Sequence, residues 1–195
     1  MTSKAYPKAR METLCDGIFA VAMTLLALDV RFPDDFHPAS TTEFLDGVYA
    51  LFPKFLPYAL SFWVLGLRWL AMIRVRNSED EFPAGYGKWL LLYLFLVTCI
   101  PFTTIAVGRY VMLPPAVWLY AGNTAALAIV GMILAHSTPG APRDESMRER
   151  YVSLAVLLVS SLIVVALSFV NPSRALWALS LNAIAPWVTR LFARA

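Results

Sequence analysis

Charge-free apolar runs dominate this chain. Trp89–Gly108 and Tyr151–Ser173 contain no charged residue, nor does Tyr110–Pro142, which Pro114-Pro115 and the cluster Ser137-Thr138-Pro139-Gly140 trim to Ala116–His136. Each covers the roughly 20 residues that a helix needs to cross hydrocarbon. Three further stretches are apolar but interrupted. Thr13–Val30 holds Asp16 near its start and Asp29 near its end, Phe55–Ile73 holds Arg68, and the shorter Ala175–Thr189 contains Asn182 and Pro186 and stops at Arg190. Lipid offers no partner to a free backbone N–H or C=O, so spanning segments of this kind are helices. The pattern predicts an all-α membrane protein: one domain over residues 1–195 with six transmembrane helices over about 13–30, 55–74, 89–108, 116–136, 151–171 and 175–190. A five-span alternative lays the last segment along the interface.

Composition agrees. Of the 195 residues, 59% are hydrophobic and 15% charged, against about 45–50% and about 25% in soluble domains. A disordered chain and a disulfide-stapled secreted domain are excluded on the same grounds. Charge position gives orientation. With six spans and a cytoplasmic N-terminus, Lys4, Lys8, Arg10, Arg74, Arg76, Lys88, Arg143, Arg148, Arg150, Arg190 and Arg194 fall inside, and only Arg31, Lys54, Arg109 and Arg174 fall outside. This is the positive-inside bias of a bacterial-type cytoplasmic membrane, with both termini cytoplasmic. Five spans would put the last two arginines outside. Trp89, Trp118, Trp177 and Trp187 sit at predicted helix ends, the depth that indole rings favour. The first apolar stretch lacks a small-residue cleavage site. The net charge of +3 therefore reports orientation and gives no support to nucleic-acid binding.

The outer loop after the first span is acidic, with Asp34, Asp35, Glu43 and Asp46. It reads either as a solvated loop or as a device that concentrates cations at an outer mouth. Ser40 and Glu43 have capping-box spacing and predict a helix start, with Pro53 and Pro57 kinking it or parting it from the second span. No internal repeat relates the two halves.

Chemistry-bearing patterns are few. His37 and His136 lie at opposite ends of the chain's topology, and no C-x-x-C links Cys15 and Cys99. The cysteines read as small buried hydrophobes. Phosphate loops and a nucleophile elbow are absent, so no enzyme, cofactor or resident metal is expected. The first span is more informative. Gly17, Val21, Thr24 and Leu28 share one stripe at i, i+4, i+7 and i+11. Asp16 is costly toward lipid and reads either as an interfacial helix-start acid or as part of a network. Its expected partners are Arg10 and the positive end of its own helix. Arg68 stands about 9 Å by helical rise from Arg74, within reach of snorkelling to the inner surface or of an ion pair.

The run Arg10-x-x-x-Leu14-Cys15-Asp16-Gly17-Ile18-Phe19-Ala20 resembles the Arg-x-x-x-Phe-Ser-Asp-Gly-Val-Phe-Ala signature of the transmembrane protein 175 potassium channels. Pro57-Tyr58-Ala59-Leu60-Ser61-Phe62 with Gly66 and Trp69 resembles the family's second helix. Ile100-Pro101-Phe102-Thr103-Thr104 with Gly108, Tyr110 and Tyr120-Ala121 resembles the end of its third and start of its fourth. The resemblance covers about residues 10–125. It implies a six-helix subunit in a homotetramer, with the first helix lining a central pore in the lipid bilayer. The pore positions then fall on Val21, Thr24 and Leu28, with Arg10 and Asp16 bracing the helix and potassium passing transiently at Thr24. The implied activity is passive, potassium-favouring cation conduction, rings of Val21 and Leu28 acting as hydrophobic constrictions. A secondary carrier using Arg68 and a non-conducting membrane scaffold are the rival readings. The family's Phe-Ser is Leu14-Cys15 here. Its usual histidine after the helix-2 tryptophan and asparagine early in helix 3 fall on Met72 and Leu90, leaving Arg10 and Arg68 to tie Asp16 to its surroundings.

Overall fold

The computed structural model describes residues 5–73, 80–138 and 145–171, together with Ala175, Trp177 and Ala178. A short strand β1 (Ala5–Pro7) leads into α1 (Lys8–Leu25), which tightens into a 3-10 turn over Leu26–Asp29. The helices α2 (Thr41–Ala50) and α3 (Phe52–Ile73), strand β2 (Glu81–Pro83), and helices α4 (Ala84–Arg109), α5 (Pro114–His136) and α6 (Glu145–Ser168) follow.

Five segments are long and apolar enough to cross a membrane: Lys8–Asp29, Phe52–Ile73, Ala84–Arg109, Pro114–His136 and Met147–Ser168. They correspond to the first five predicted spans. The predicted sixth, 175–190, lies outside the described residues except for Ala175, Trp177 and Ala178. Helices α1 and α6 begin earlier than the spans predicted for them, taking in Lys8–Glu12 and Glu145–Arg150. A helix continues unbroken into the headgroup layer, where charge is tolerated, so a charge-free run marks only its hydrocarbon stretch.

Helix α4 is central. It packs against α1 and α3 on one side and α5 on the other, while α6 lies along α5. Phe19 of α1, Leu26 of the 3-10 turn that ends it, Leu65 of α3, Leu94, Val97 and Ile100 of α4 and Leu127 of α5 belong to the largest buried cluster. Apolar burial alone does not hold helices together in lipid, where side-chain packing and interhelical hydrogen bonds act instead. Ser61, Thr104 and Tyr120 form a buried hydroxyl chain across α3, α4 and α5, with 2.8 Å from Thr104 Oγ1 to Ser61 Oγ and 3.0 Å from Ser61 Oγ to Tyr120 Oη. Thr124 meets Ser161 at 2.8 Å, and Trp118 Nε1 donates to Ser168 Oγ at 2.8 Å, joining α5 to α6. Asn123 Nδ2 donates to the Leu96 carbonyl at 3.2 Å. Close approach comes from Gly131, where an added Cβ would stand 2.8 Å from Leu154 Cδ2 and 3.2 Å from Tyr93 Cε2.

The capping box closes in a shifted form. Glu43 N donates to Ser40 Oγ at 3.2 Å, but the Glu43 carboxylate accepts from Ala39 N at 2.7 Å rather than from the cap residue itself. Leu51 then separates α2 from α3, leaving Pro53 in the first turn of the span and Pro57 inside it. An antiparallel clasp between β1 and β2 was not predicted from the sequence: Ala5, Tyr6 and Pro7 face Pro83, Phe82 and Glu81, and Lys8 N donates to Asp80 O at 3.0 Å. Two proline-ended tripeptides thus join the entries of α1 and α4.

Gly131→Val is expected to destabilise the detergent-solubilised protein by about 1–3 kcal/mol, the usual cost of overpacking, read as a lower thermal midpoint. An unchanged midpoint would show that α5 and α6 are not in close contact there.

Candidate functional site: the two faces of the first helix

One face of α1 is committed to the core of its own chain. Cys15, Phe19, Ala22, Leu26 and Asp29 are buried, at offsets of four, seven, eleven and fourteen residues, the spacing of one helical face. The stripe Gly17, Val21, Thr24 and Leu28 lies on the opposite side and is exposed, with Val21 57% and Leu28 64% accessible. Arg10, Thr13 and Leu14 continue it toward the Lys8 end. Of the five spans, α1 is the least enclosed, with 22% of its membrane window buried against 50% in α4 and in α5.

The stripe is not uniformly apolar. Thr24 Oγ1 lies 3.0 Å from the Ala20 carbonyl and 2.9 Å from the Val21 carbonyl, donating its single hydrogen back into its own helix. What it presents outward is therefore the lone pairs of the oxygen, an acceptor suited to a cation. Gly17 has nothing within 4 Å of an added Cβ. It opens a shallow groove bounded by Arg10, Thr13, Leu14, Ile18 and Val21 with Thr98 of α4.

Asp16 lies beside the stripe and points toward α3, where it accepts a hydrogen bond from Trp69 Nε1 at 2.8 Å. The sequence reading missed this partner, although Trp69 stood within its second motif. Among the described residues neither Arg10 nor Arg68 forms an ion pair with Asp16; Arg10 is exposed on the stripe side. Arg68 does not snorkel. It is 3% accessible, its Nη2 donates to Ser153 Oγ of α6, and its Nε and Nη1 have no hydrogen-bond partner among the described residues. Helical rise measures depth but not azimuth, and the azimuth of Arg68 turns it inward. Asp16, Trp69, Met72 and Leu90 all border a cavity of about 250 Å³ that Tyr86 and Arg150 also line. The two positions where the resemblance calls for histidine and asparagine thus meet in one place, with apolar residues in both.

At the other end of α1, Asp29 Oδ1 accepts from Arg109 Nε at 3.0 Å and from Arg109 Nη2 at 2.6 Å. The sequence put both residues at the same end of their spans, which was the available signal for the pair. Cys15 and Cys99 are free thiols. No group of three or more metal-ligating side chains occurs among the described residues.

The family model described as "Endosomal/lysosomal potassium channel TMEM175" matches residues 10–101. A potassium channel of Chamaesiphon minutus is 32% identical over 124 residues, 62% of this chain and 61% of that one. A potassium channel of Streptomyces collinus is 31% identical over 101 residues, 52% and 48% of the two chains. The matches thus span about half to three-fifths of these relatives' own length. The crystal structure of a lysosomal potassium-selective channel TMEM175 homolog from Chamaesiphon minutus superposes with a TM-score of 0.73 at 25% identity, covering 96% of this chain and 98% of that one.

Trp69→Phe removes a hydrogen bond to a charged acceptor and is expected to cost about 1–2 kcal/mol of stability, seen as a lower thermal midpoint. The volume-conserving Met72→Leu in the same cavity is expected to stay within about 1.5 kcal/mol of the parent. A Trp69→Phe midpoint equal to the parent's would remove the bracing role from this bond.

Proposed function

This chain belongs to the TMEM175 family, and on that premise we propose that it is a passive, potassium-favouring cation channel. Four copies of one six-span unit surround a pore lined by α1, in the bacterial cytoplasmic membrane with both termini cytoplasmic. The observation that supports this best is the exposed face of α1. Arg10, Thr13, Gly17 and Thr24 lie on the side that the subunit leaves uncovered. Polar side chains toward lipid are costly, and a water-filled axis relieves that cost.

The roles follow from the chemistry of each ring. Val21 and Leu28 are hydrophobic constrictions that impede ions by dewetting, and they stand about 10–12 Å apart along the axis at the rise of an α-helix that tightens into a 3-10 turn. Thr24 lies between them and offers its free lone pairs to a partly dehydrated cation. The backbone carbonyls of α1 are engaged within the helix, so no carbonyl-lined filter forms and discrimination of potassium from sodium is modest. Asp16, held by Trp69, braces α1 against α3, and Arg10 braces the cytoplasmic mouth. Arg68, on which a carrier reading rests, is enclosed and bonded to α6, which gives alternating access no support.

Liposomes containing the purified protein are expected to pass potassium down a gradient without valinomycin. Val21→Trp should abolish this flux while leaving tetramers intact on size-exclusion chromatography; flux that survives the change puts the pore on another helix. Val21→Leu should lower the single-channel current, and an equal current would count against a constriction at that ring.

A further inference from the structure

We infer that Asp29 and Arg109 form a positioning clamp for the outermost ring of the pore, an inference that rests on the α1-lined channel proposed above. Leu28 does not belong to the regular part of α1. It lies in the 3-10 turn Leu26–Asp29 that ends the helix, after which the chain turns away at Val30 with φ −84° and ψ 72°. The side-chain direction at Leu28 therefore depends on what holds that turn. Leu26 is buried on one side of it at 1% accessibility, and Asp29 closes it at 8%.

The Asp29 carboxylate has no role in forming the helix. It sits at the C-terminal end, where the macrodipole disfavours negative charge. Its partner is the last residue of α4, where the same dipole favours a cation. Arg109 reaches Asp29 Oδ1 with two nitrogens, while Asp29 Oδ2 lies 3.8 Å from the position of an added Gly108 Cβ, with Pro57 of α3 equally close. The carboxylate is thus seated where α1, α3 and α4 meet, and the pair ties the pore turn to the central helix of the subunit. This pair joins two membrane spans, whereas the pairs Lys8–Glu12 and Arg31–Asp34 are local in sequence.

A clamp, a mouth charge and a purely structural pair make different predictions. Single-channel conductance of the full-length protein in planar bilayers is measured for Asp29→Asn, Arg109→Gln and the double variant, each also in a Leu28→Ala background, with tetramers checked by size-exclusion chromatography. For a clamp, both single changes shift conductance in the same direction by at least about twofold, the double variant goes no further than either, and the effect disappears when Leu28 is alanine. Opposite shifts that cancel in the double variant would assign the pair to mouth electrostatics and overturn the clamp. Unchanged conductance, with only less tetramer recovered, would overturn it as well. Val21→Trp serves as the parallel control. If it blocks current while the Asp29 and Arg109 variants conduct like the parent, the clamp fails and the pore reading stands. If it does not block, both fall together.

Discussion

Hydrocarbon provides no hydrogen-bond partner, and that constraint places most of the polar side chains in the core of the described spans. In α4, α5 and α6 the hydroxyls of Thr104, Thr124, Ser160 and Ser161 bond back to their own helices or across to neighbours. Ser61 and Tyr120 complete the crossing between α3 and α5. The bundle is therefore joined by short neutral hydrogen bonds at its crossings, with Gly131 allowing a close approach of α5 to α4 and α6. Charged groups follow the same rule at greater cost: Arg68 turns inward to Ser153, and Asp29 meets Arg109.

Against that background α1 stands apart. Its inner face supplies Phe19 and Leu26 to the common core, yet its other face carries an arginine, threonines and a glycine that are exposed. The rest of the chain attaches this helix at discrete points: the β1–β2 clasp at its start, Trp69 at its middle and Arg109 at its end. A helix held at its ends and along one side leaves a full-length free stripe, which is the feature the proposed pore rests on.

Much of this was legible in the residues. Charge-free runs located α4, α5 and α6 because an uninterrupted apolar stretch of that length has few other uses, and the Ser40–Glu43 spacing marked the start of α2. The true ends were not legible, since helices run on through charged first turns at the headgroups. The stripe Gly17, Val21, Thr24 and Leu28 was visible as periodicity, but which side of α1 faces the core depends on where α3 and α4 pack, which only the fold supplies. The same missing azimuth misled the reading of Arg68. The clasp of Ala5–Pro7 with Glu81–Pro83 was invisible because three residues ending in proline show no alternation from which to infer a strand.

The tethers of α1 also have an order in time. Trp69 lies 53 residues beyond Asp16, and Arg109 lies 80 residues beyond Asp29. The strand that clasps Ala5–Pro7 is not complete until Pro83. Synthesis runs from the N-terminus, so α1 is made before any of its anchors exists. During biogenesis it enters the membrane unsupported, as the span least enclosed in the final fold, and its closing 3-10 turn gains its ionic partner only once the whole of α4 has been translated. Its final seating is therefore a late event in the maturation of the subunit.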